Sequence, residues 1–356
     1  MEAIVKNNKK LIRSWAMFDW ANSAYNLVIT STIFPVYYTA ITTTKEHGDV
    51  VSFFGIEVVN TALSNFSLAF AYLLMSFSLP FISSYADANG KKKQIMKFFT
   101  YMGAMACMCL FFFKLDTLEI GIICFVLAAM GYIGGVLFNN SYLPLLATVD
   151  QQDKVSAQGF AYGYIGCVTL QILCFIVVLK PGWFGITNAS LPARISFLMV
   201  GLWWLGFSMI PFKYLPKIEA TGNTTGKSFI QNVRDEFGHV IQKIKGIPEI
   251  KQFLPAFFFY AIGVQTLMIV ASSFGEKILH LGAERLIATI LLIQLVAILG
   301  AFLMSYLSTL FGNIKVLIVV VMIWIGICIS AFYLSTPLQF YIIAALVGLV
   351  MGGIQS

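Results

Sequence analysis

Charged residues are scarce in this chain of 356 residues. Only 11% of the residues are Asp, Glu, Lys or Arg, whereas 59% are hydrophobic, and the mean hydropathy is +0.84. A soluble globular domain carries about 25% charged residues, which cover the surface that faces water. The scarcity excludes a soluble domain and indicates a protein whose main solvent is lipid.

Regular alternation of apolar and polar residues is missing too. Strands of a membrane β-barrel alternate over about ten residues, whereas this chain contains unbroken apolar runs of about 20 residues or more. Hydrocarbon offers no partner to backbone N–H and C=O groups, so each run must satisfy them internally. The runs therefore predict an all-α polytopic membrane bundle.

Cysteine and histidine patterns that build functional centres are absent from the sequence. All six cysteines fall inside apolar runs without a CxxC pair, so we expect buried thiols rather than disulfides. His47, His239 and His280 lie in loops, and no apolar run contains a Ser/His pair or a cluster of metal ligands. The sequence predicts neither an enzyme nor a cofactor or metal site.

Ten apolar segments follow one another along the chain, and we number them spans 1–10. Their approximate bounds are 15–41, 59–83, 95–113, 118–146, 158–179, 193–213, 251–274, 285–308, 314–334 and 338–356. The tenth runs to the last residue without a polar tail. We therefore expect that the chain is a fragment whose continuation is absent.

The distribution of basic residues predicts the topology. With the N-terminus inside, seventeen Lys and Arg residues lie on the cytoplasmic side and six on the outer side. Positive residues stay preferentially in the cytoplasm, so the count predicts a cytoplasmic N-terminus. It also accounts for the net charge of +7 without a nucleic-acid partner.

A polar stretch at residues 214–250 separates a six-span half, residues 1–213, from four further spans, residues 251–356. Apolar residues recur at helical spacing within it, which predicts an amphipathic helix on the cytoplasmic face: Phe229, Val233, Phe237, Val240, Ile241 and Ile244. Two linked halves are typical of carriers built from internal repeats.

Polar residues are concentrated in spans 1 and 4. Asn139 and Asn140 lie in span 4. They can line a solute cavity or, alternatively, form a hydrogen bond with a neighbouring helix. An Asp inside a membrane costs about 2.5–3.5 kcal/mol on insertion scales and marks a functional site, unless it pairs with a basic residue such as Arg13. Five polar residues of span 1 share one face of an α-helix: Asp19, Asn22, Ser23, Asn26 and Thr30. We expect spans 1, 4, 7 and 10 to surround a cavity.

The loop between spans 2 and 3 resembles the loop signature of the major facilitator superfamily, which has an acidic residue, a Gly and two basic residues. A degenerate copy at residues 307–315, with Gly312 and Lys315, lies between spans 8 and 9 and supports two related halves. The residues that carry the resemblance are Asp87, Gly90, Lys91, Lys92 and Lys93.

Longer patterns resemble one branch of that superfamily, which contains the vacuolar amino-acid effluxer of autophagy and many bacterial transporters. Residues 15–25, WAMFDWANSAY, and 34–37, FPVY, are similar to its span 1 hallmark. Residues 258–266, which include Gln265, and residues 352–356 are similar to its spans 7 and 10. One departure is Ile262, where relatives often carry an acidic residue.

The resemblance implies a twelve-span carrier that moves small solutes by alternating access, with amino acids as the first candidates, in the plasma membrane rather than a vacuolar one. We expect the bilayer, a small solute and a co-transported proton to be its partners, with Asp19 as the coupling residue. Asp87 of the loop signature is expected to help close the cytoplasmic side.

A primary pump with a nucleotide site is one rival function, and a passive channel is another. Residues 222–228, GNTTGKS, nearly match a phosphate-binding loop, but they have three residues between the glycines where four are required. We therefore interpret them as a flexible linker. A passive facilitator or channel without ion coupling stays open as the alternative.

Labelling of introduced cysteines tests the topology. We expect a membrane-impermeant maleimide added outside intact cells to label a cysteine at position 45, because the charge count places that loop outside. A cysteine at position 227 should react only after permeabilisation. External labelling at position 227 would show that the topology is inverted.

Overall fold

The computed structural model describes residues 5–44, 47–218, 229–277 and 283–355. The described chain is helical apart from one short hairpin, turns and loops. Seven of its helical stretches are long and apolar enough to cross a membrane, judged by length and composition. The prediction of an all-α polytopic bundle is confirmed.

Each predicted span corresponds to one helix or to contiguous helical segments. Span 1 comprises α1 (Lys9–Ala24), a π-helix (Tyr25–Ile33) and α2 (Phe34–Thr42). Spans 2–6 are α3 (Asn60–Ala88), α4 (Lys92–Cys109), α5 (Leu118–Asn140), α7 (Gln152–Leu179) and α8 (Leu191–Tyr214). A short helix, α6 (Leu143–Leu146), follows α5 and completes span 4. The linker contains α9 (Phe229–Gly246), and spans 7–10 are α10 (Pro248–Lys277), α11 (Ala283–Phe311), α12 (Asn313–Phe332) and α13 (Pro337–Gln355).

Two features differ from the sequence analysis. Strands β1 (Val50–Phe53) and β2 (Ile56–Val59) form an antiparallel hairpin between spans 1 and 2. The sequence analysis did not predict it, because a strand of four residues is too short to show a clear alternating pattern. The uniform α-helical spacing assumed for span 1 ends at Ala24, because the π-helix has i→i+5 hydrogen bonds and therefore more residues in each turn. The face that Asn26 and Thr30 occupy thus depends on the π register.

The linker helix is where the sequence places it, at Phe229–Gly246. Its position on the cytoplasmic face stays a prediction. Residues 222–228, which resemble a phosphate-binding loop, lie outside the described residues, as do Lys45, His280 and Ser356.

The chain forms two compact units. The first comprises Met1–Thr148 and Gly166–Val233, and the second comprises Val149–Ile165 and Arg234–Ser356. The boundary between them runs through α7, whose first half belongs to the second unit. The division into halves at residues 1–213 and 251–356 stays a prediction about the repeat.

Small residues allow the helices of the first unit to approach closely. A Cβ added to Gly131 of α5 would lie 2.5 Å from the Cα of Gly103 in α4, and one added to Gly166 of α7 would lie 2.5 Å from the carbonyl oxygen of Trp20 in α1. Membrane helices associate through such contacts, since the hydrophobic effect does not drive association in lipid. The glycines therefore permit the crossing of α4 with α5 and the close contact of α7 with span 1.

The FPVY pattern in span 1 belongs to the core of the first unit. Phe34 stacks on Phe125 with ring centroids 4.1 Å apart and also contacts Phe113 and Phe197. The hydroxyl of Tyr37 donates to the carbonyl oxygen of Phe113 at 2.6 Å. These contacts attach α2 to α5 and α8, so this part of the pattern has a structural role.

Glycines also bring α11 and α13 together in the second unit. The position of a Cβ on Gly348 would lie 2.6 Å from the carbonyl oxygen of Ile293, and Gly300 lies directly against the carbonyl of Leu349. The same packing principle therefore operates in both units.

Candidate functional site

The polar residues of span 1 differ in their exposure. Asn22 is buried, with 1% of its surface exposed, whereas Asp19, Ser23 and Thr30 are half-buried and Asn26 is exposed. Polar side chains at membrane depth are tolerated where they contact protein or a water-filled cavity. Span 1 thus carries polar groups from the packed interior of the unit to its accessible surface.

A crossing of α1 and α5 brings Asp19 together with Asn139. The Nδ2 of Asn139 donates to the Oδ1 of Asp19 at 3.4 Å, and the indole N–H of Trp15 donates to the backbone carbonyl of Asn139 at 2.8 Å. Gly135 lies one turn before Asn139, and a Cβ there would be 3.0 Å from the ring of Phe18. A larger residue than Gly would press on the ring of Phe18, so Gly135 helps α1 and α5 to pack closely where the polar contact forms.

Two amide oxygens at this crossing have no partner. The Oδ1 atoms of Asn22 and Asn139 are buried and accept no hydrogen bond from the described residues. A buried acceptor without a donor costs about 1–3 kcal/mol. Each of these oxygens therefore keeps an unused capacity to accept a hydrogen bond, beside the carboxylate of Asp19.

An ion pair at the cytoplasmic rim is the alternative role that the sequence left for Asp19. Arg13 is exposed, and within the described part of the chain no Lys or Arg side chain lies within ion-pair distance of Asp19. Asn139 is therefore its observed side-chain partner.

The remaining candidate residues lie elsewhere. Asn140, adjacent to Asn139 at the end of α5, is exposed. Gln265 is exposed on α10 in the second unit. The structure thus brings Asp19 and Asn139 together, and it separates Asn140 from their contact, since successive residues of a helix point about 100° apart.

The loop signature between α3 and α4 is a network of specific contacts. Lys92 forms an ion pair with Asp87, Lys91 donates to the hydroxyl of Tyr85 at 2.8 Å, and Lys93 donates to the carbonyl of Leu215 beyond α8. Each of the three lysines therefore has a different partner, and the last of them ties the loop to the end of span 6.

A glycine makes this sharp connection possible. Gly90 has a φ of +63°, a left-handed conformation that residues with a Cβ rarely adopt. Gly312, at the equivalent place between α11 and α12, has a φ of +87°. Near it, the hydroxyl of Ser308 donates to the carboxylate of Asp153 at 3.0 Å within the second unit.

Several buried polar residues were missed by sequence reasoning, and the one that contacts span 1 from α7 is Gln171. No part of its surface is exposed, and its Oε1 accepts a hydrogen bond from the hydroxyl of Thr32 at 2.8 Å. The position of Gln171 inside the apolar run of span 5 was the available indication, because an amide in a span is costly without a partner.

Residues 7–356 match the family model described as "Vacuole effluxer Atg22 like". The chain belongs to this family. The match includes both span 1 patterns and the loop signature, so the family resemblance of the sequence is confirmed.

Relatives support this assignment. The uncharacterized MFS-type transporter YxiO of Bacillus subtilis (strain 168) is 27% identical over 99% of this chain and 80% of its own length. Autophagy-related protein 22 of Coccidioides immitis (strain RS) is 22% identical over 86% of this chain and 63% of its own length. The chain therefore spans less than two thirds of the fungal relative.

Solved structures show the fold. The proton:xylose symporter XylE, a major facilitator superfamily protein, superposes with a TM-score of 0.61 at 12% identity, over 97% of this chain and 80% of that one. A bacterial homologue of the human lysosomal transporter Spinster gives 0.53 at 14% identity, over 97% and 73%. The chain is thus a multi-pass membrane protein of a transporter family with the major facilitator fold.

The neighbours Asn139 and Asn140 provide a matched test of the crossing. We expect Asn139→Ala to lower the thermal midpoint of the detergent-solubilised protein by several degrees. The change removes the side-chain partner of Asp19 and leaves a cavity where the amide was packed, and these losses outweigh the removal of the unpaired Oδ1. Asn140→Ala, at an exposed position, should leave the midpoint within about one degree. Equal midpoints for the two variants would contradict the assigned contact.

Proposed function

We propose that this protein is a secondary transporter that moves small solutes across a membrane by alternating access, with amino acids as the first candidate substrates. The observation that carries the proposal is the site between α1 and α5, where a carboxylate and two unpartnered amide oxygens lie inside a membrane bundle. The family description, an effluxer, and the name of the Bacillus relative, an MFS-type transporter, support transport.

The chemistry of the site favours a solute that donates hydrogen bonds. Asn22 and Asn139 offer acceptor oxygens, and Asp19 adds a negative charge. An ammonium group supplies three donors and a positive charge, which suits a carboxylate and amide oxygens as acceptors. This match supports amino acids rather than neutral sugars as the first class to test.

Coupling to protons is the second part of the proposal. One charge that moves through 100 mV supplies about 2.3 kcal/mol, which is enough for about a 40-fold solute gradient. Asp19 is half-buried in span 1. In this proposal its carboxylate exchanges a proton with water when the cavity opens. Its contact with Asn139 would transmit the charge change to α5.

Facilitated diffusion without ion coupling is the second candidate function. The observation that favours it is Ile262, an apolar residue with 49% of its surface exposed where relatives often carry an acid. The same amide oxygens would then bind solute, and no carboxylate would need to change its protonation state.

The loop signature supplies a cytoplasmic gate in this proposal. The Asp87–Lys92 ion pair and the bond from Lys93 to the Leu215 carbonyl hold the α3–α4 connection against the end of α8. A gate must break and re-form such contacts as the protein alternates. We place it on the cytoplasmic side of the plasma membrane, with the N-terminus also in the cytoplasm.

Uptake into proteoliposomes tests the coupling. We expect the full-length protein to accumulate a mixture of radiolabelled neutral amino acids under a proton gradient, by up to about 40-fold per charge and 100 mV, and to lose this accumulation when a protonophore is added. Asp19→Asn should reduce accumulation to equilibration, whereas Asp116→Asn, which removes an exposed carboxylate between spans 3 and 4, should not.

Each result in that assay has a distinct meaning. Protonophore-sensitive accumulation that persists in Asp19→Asn would remove Asp19 from the mechanism. Saturable uptake that is insensitive to protonophores would favour facilitated diffusion, and uptake that does not saturate would indicate a channel.

Exchange across preloaded proteoliposomes tests the gate. We expect Asp87→Asn to slow solute exchange several-fold, because the substitution removes the ion pair with Lys92 from the proposed gate. The protein should still reach the membrane in normal amounts, because the change is confined to the connection between α3 and α4. Asp116→Asn again serves as the control. Exchange at the wild-type rate in Asp87→Asn would reduce the loop to a topology determinant.

A further inference from the structure

Span 1 changes its helical register between α1 and α2. The segment Tyr25–Ile33 is a nine-residue π-helix, and π-helical turns are rare and are frequently found at functional sites. Two hydroxyls reinforce its register by bonding to carbonyls five residues earlier, Ser31 to Asn26 at 2.9 Å and Thr32 to Leu27 at 2.8 Å. Side chains as well as the backbone therefore take part in the π register.

The hydroxyl of Thr32 has a choice of acceptors. The carbonyl oxygens of Leu27 and Val28 lie at 2.8 and 3.2 Å, and Oε1 of Gln171 on α7 lies at 2.8 Å. A hydroxyl has one proton, so it bonds either within its own helix or across to α7. Thr32 and Gln171 are both buried, and a polar network in a low-dielectric interior is sensitive to each of its members.

Gln171 is costly where it stands. It is fully buried in an apolar helix, and its Nε2 donates to no acceptor among the described residues. An apolar residue of similar volume would avoid the unpaired donor, which costs about 1–3 kcal/mol. Any stabilisation that Gln171 provides must therefore come from its Oε1 atom, which accepts the hydrogen bond from Thr32 of span 1.

We propose that Gln171 is a positioning residue: it accepts the hydroxyl of Thr32, holds span 1 in the π register, and so selects which polar side chain shares the face of Asp19. The role rests on the transport function proposed above, because a solute path is what gives that face its importance. Its structural part, the control of register, can be measured without any solute.

The two registers place different residues beside the Asp19 face. In a continuous α-helix Thr30 lies on that face, eleven residues after Asp19. In the π register each turn contains about one residue more, so Ser31 takes the place of Thr30 on the face of Asp19. The structure agrees with the second case, since Ser31 is exposed and the hydroxyl oxygen of Thr30 is buried.

Cysteine reactivity at positions 30 and 31 reports the register. Thr30→Cys or Ser31→Cys is introduced into the protein after its native cysteines have been replaced, and the rate of labelling by a small maleimide is measured in native membranes. Each reporter is combined with Thr32→Val, Gln171→Met or both. Thr32→Ser keeps the hydroxyl, and Thr100→Val removes another buried hydroxyl, one that bonds four residues back in an ordinary α-helix.

We expect position 31 to react faster than position 30 in the parent. Thr32→Val and Gln171→Met should each shift the ratio of the two rates toward position 30 by about two- to tenfold, the factor that one hydrogen bond of ordinary net strength produces in a two-state equilibrium. The double variant should add little to either single one. Thr32→Ser and Thr100→Val should leave the ratio unchanged.

Unchanged ratios in both Thr32→Val and Gln171→Met would overturn the proposal. Should Gln171→Met fail to reach the membrane, Gln171→Leu takes its place, because Thr32→Val also removes the bonds to Leu27 and Val28 and cannot by itself assign the role to Gln171. If both Gln171 variants are lost while Thr100→Val is present, Gln171 is a folding determinant and the positioning role is rejected. A failure of amino-acid uptake would bear on the proposed function only, because the labelling needs no solute.

Discussion

Hydrocarbon cannot solvate a polar group, and most features of this protein respond to that constraint. It forces the backbone into helices, because only internal hydrogen bonds can satisfy the N–H and C=O groups of a spanning segment. It also makes each polar side chain within a span costly unless another group is bonded to it. Buried polar residues such as Asn139 and Gln171 are therefore found where another helix supplies a hydrogen-bond partner.

The cost of polar groups would be prohibitive without close helix packing. Gly135 lets α5 approach Phe18 of α1 closely enough for Asn139 to reach Asp19. Gly166 does the same for α7, which is in contact with the backbone of Trp20 and carries Gln171 to Thr32. Both polar contacts thus lie beside glycines that contribute no side chain of their own. A methyl group at Gly166 would collide with the backbone of α1, and one at Gly135 would press on the ring of Phe18.

Two short connections, the one between α3 and α4 and the one between α11 and α12, are built in a similar way. Gly90 and Gly312 both adopt positive φ values and allow one long helix to follow another almost directly. Side-chain contacts lie close to each of these glycines. Lys92 bonds Asp87 in the first connection, and Ser308 bonds Asp153 near the second.

Local properties of the sequence determined the class of protein and the positions of its helices. Span 6, for example, was expected at residues 193–213 and is the helix Leu191–Tyr214, because hydropathy and helix ends depend on neighbouring residues. The linker helix and the family were accessible for the same reason, since their patterns are contiguous. The sequence also identified span 1 as the polar one, and Asp19 as its acidic residue.

Only the tertiary structure decided how those polar residues are used. Asn139 and Asn140 are equivalent in the sequence, but α1 meets the face of α5 that carries Asn139, 120 residues from its partner Asp19. The bond between Thr32 and Gln171 joins residues 139 positions apart, and a π-helix interrupts a span whose sequence is compatible with a regular α-helix. Contacts of this kind depend on where separate helices cross, and the pattern of a single span contains no information about the helix that packs against it.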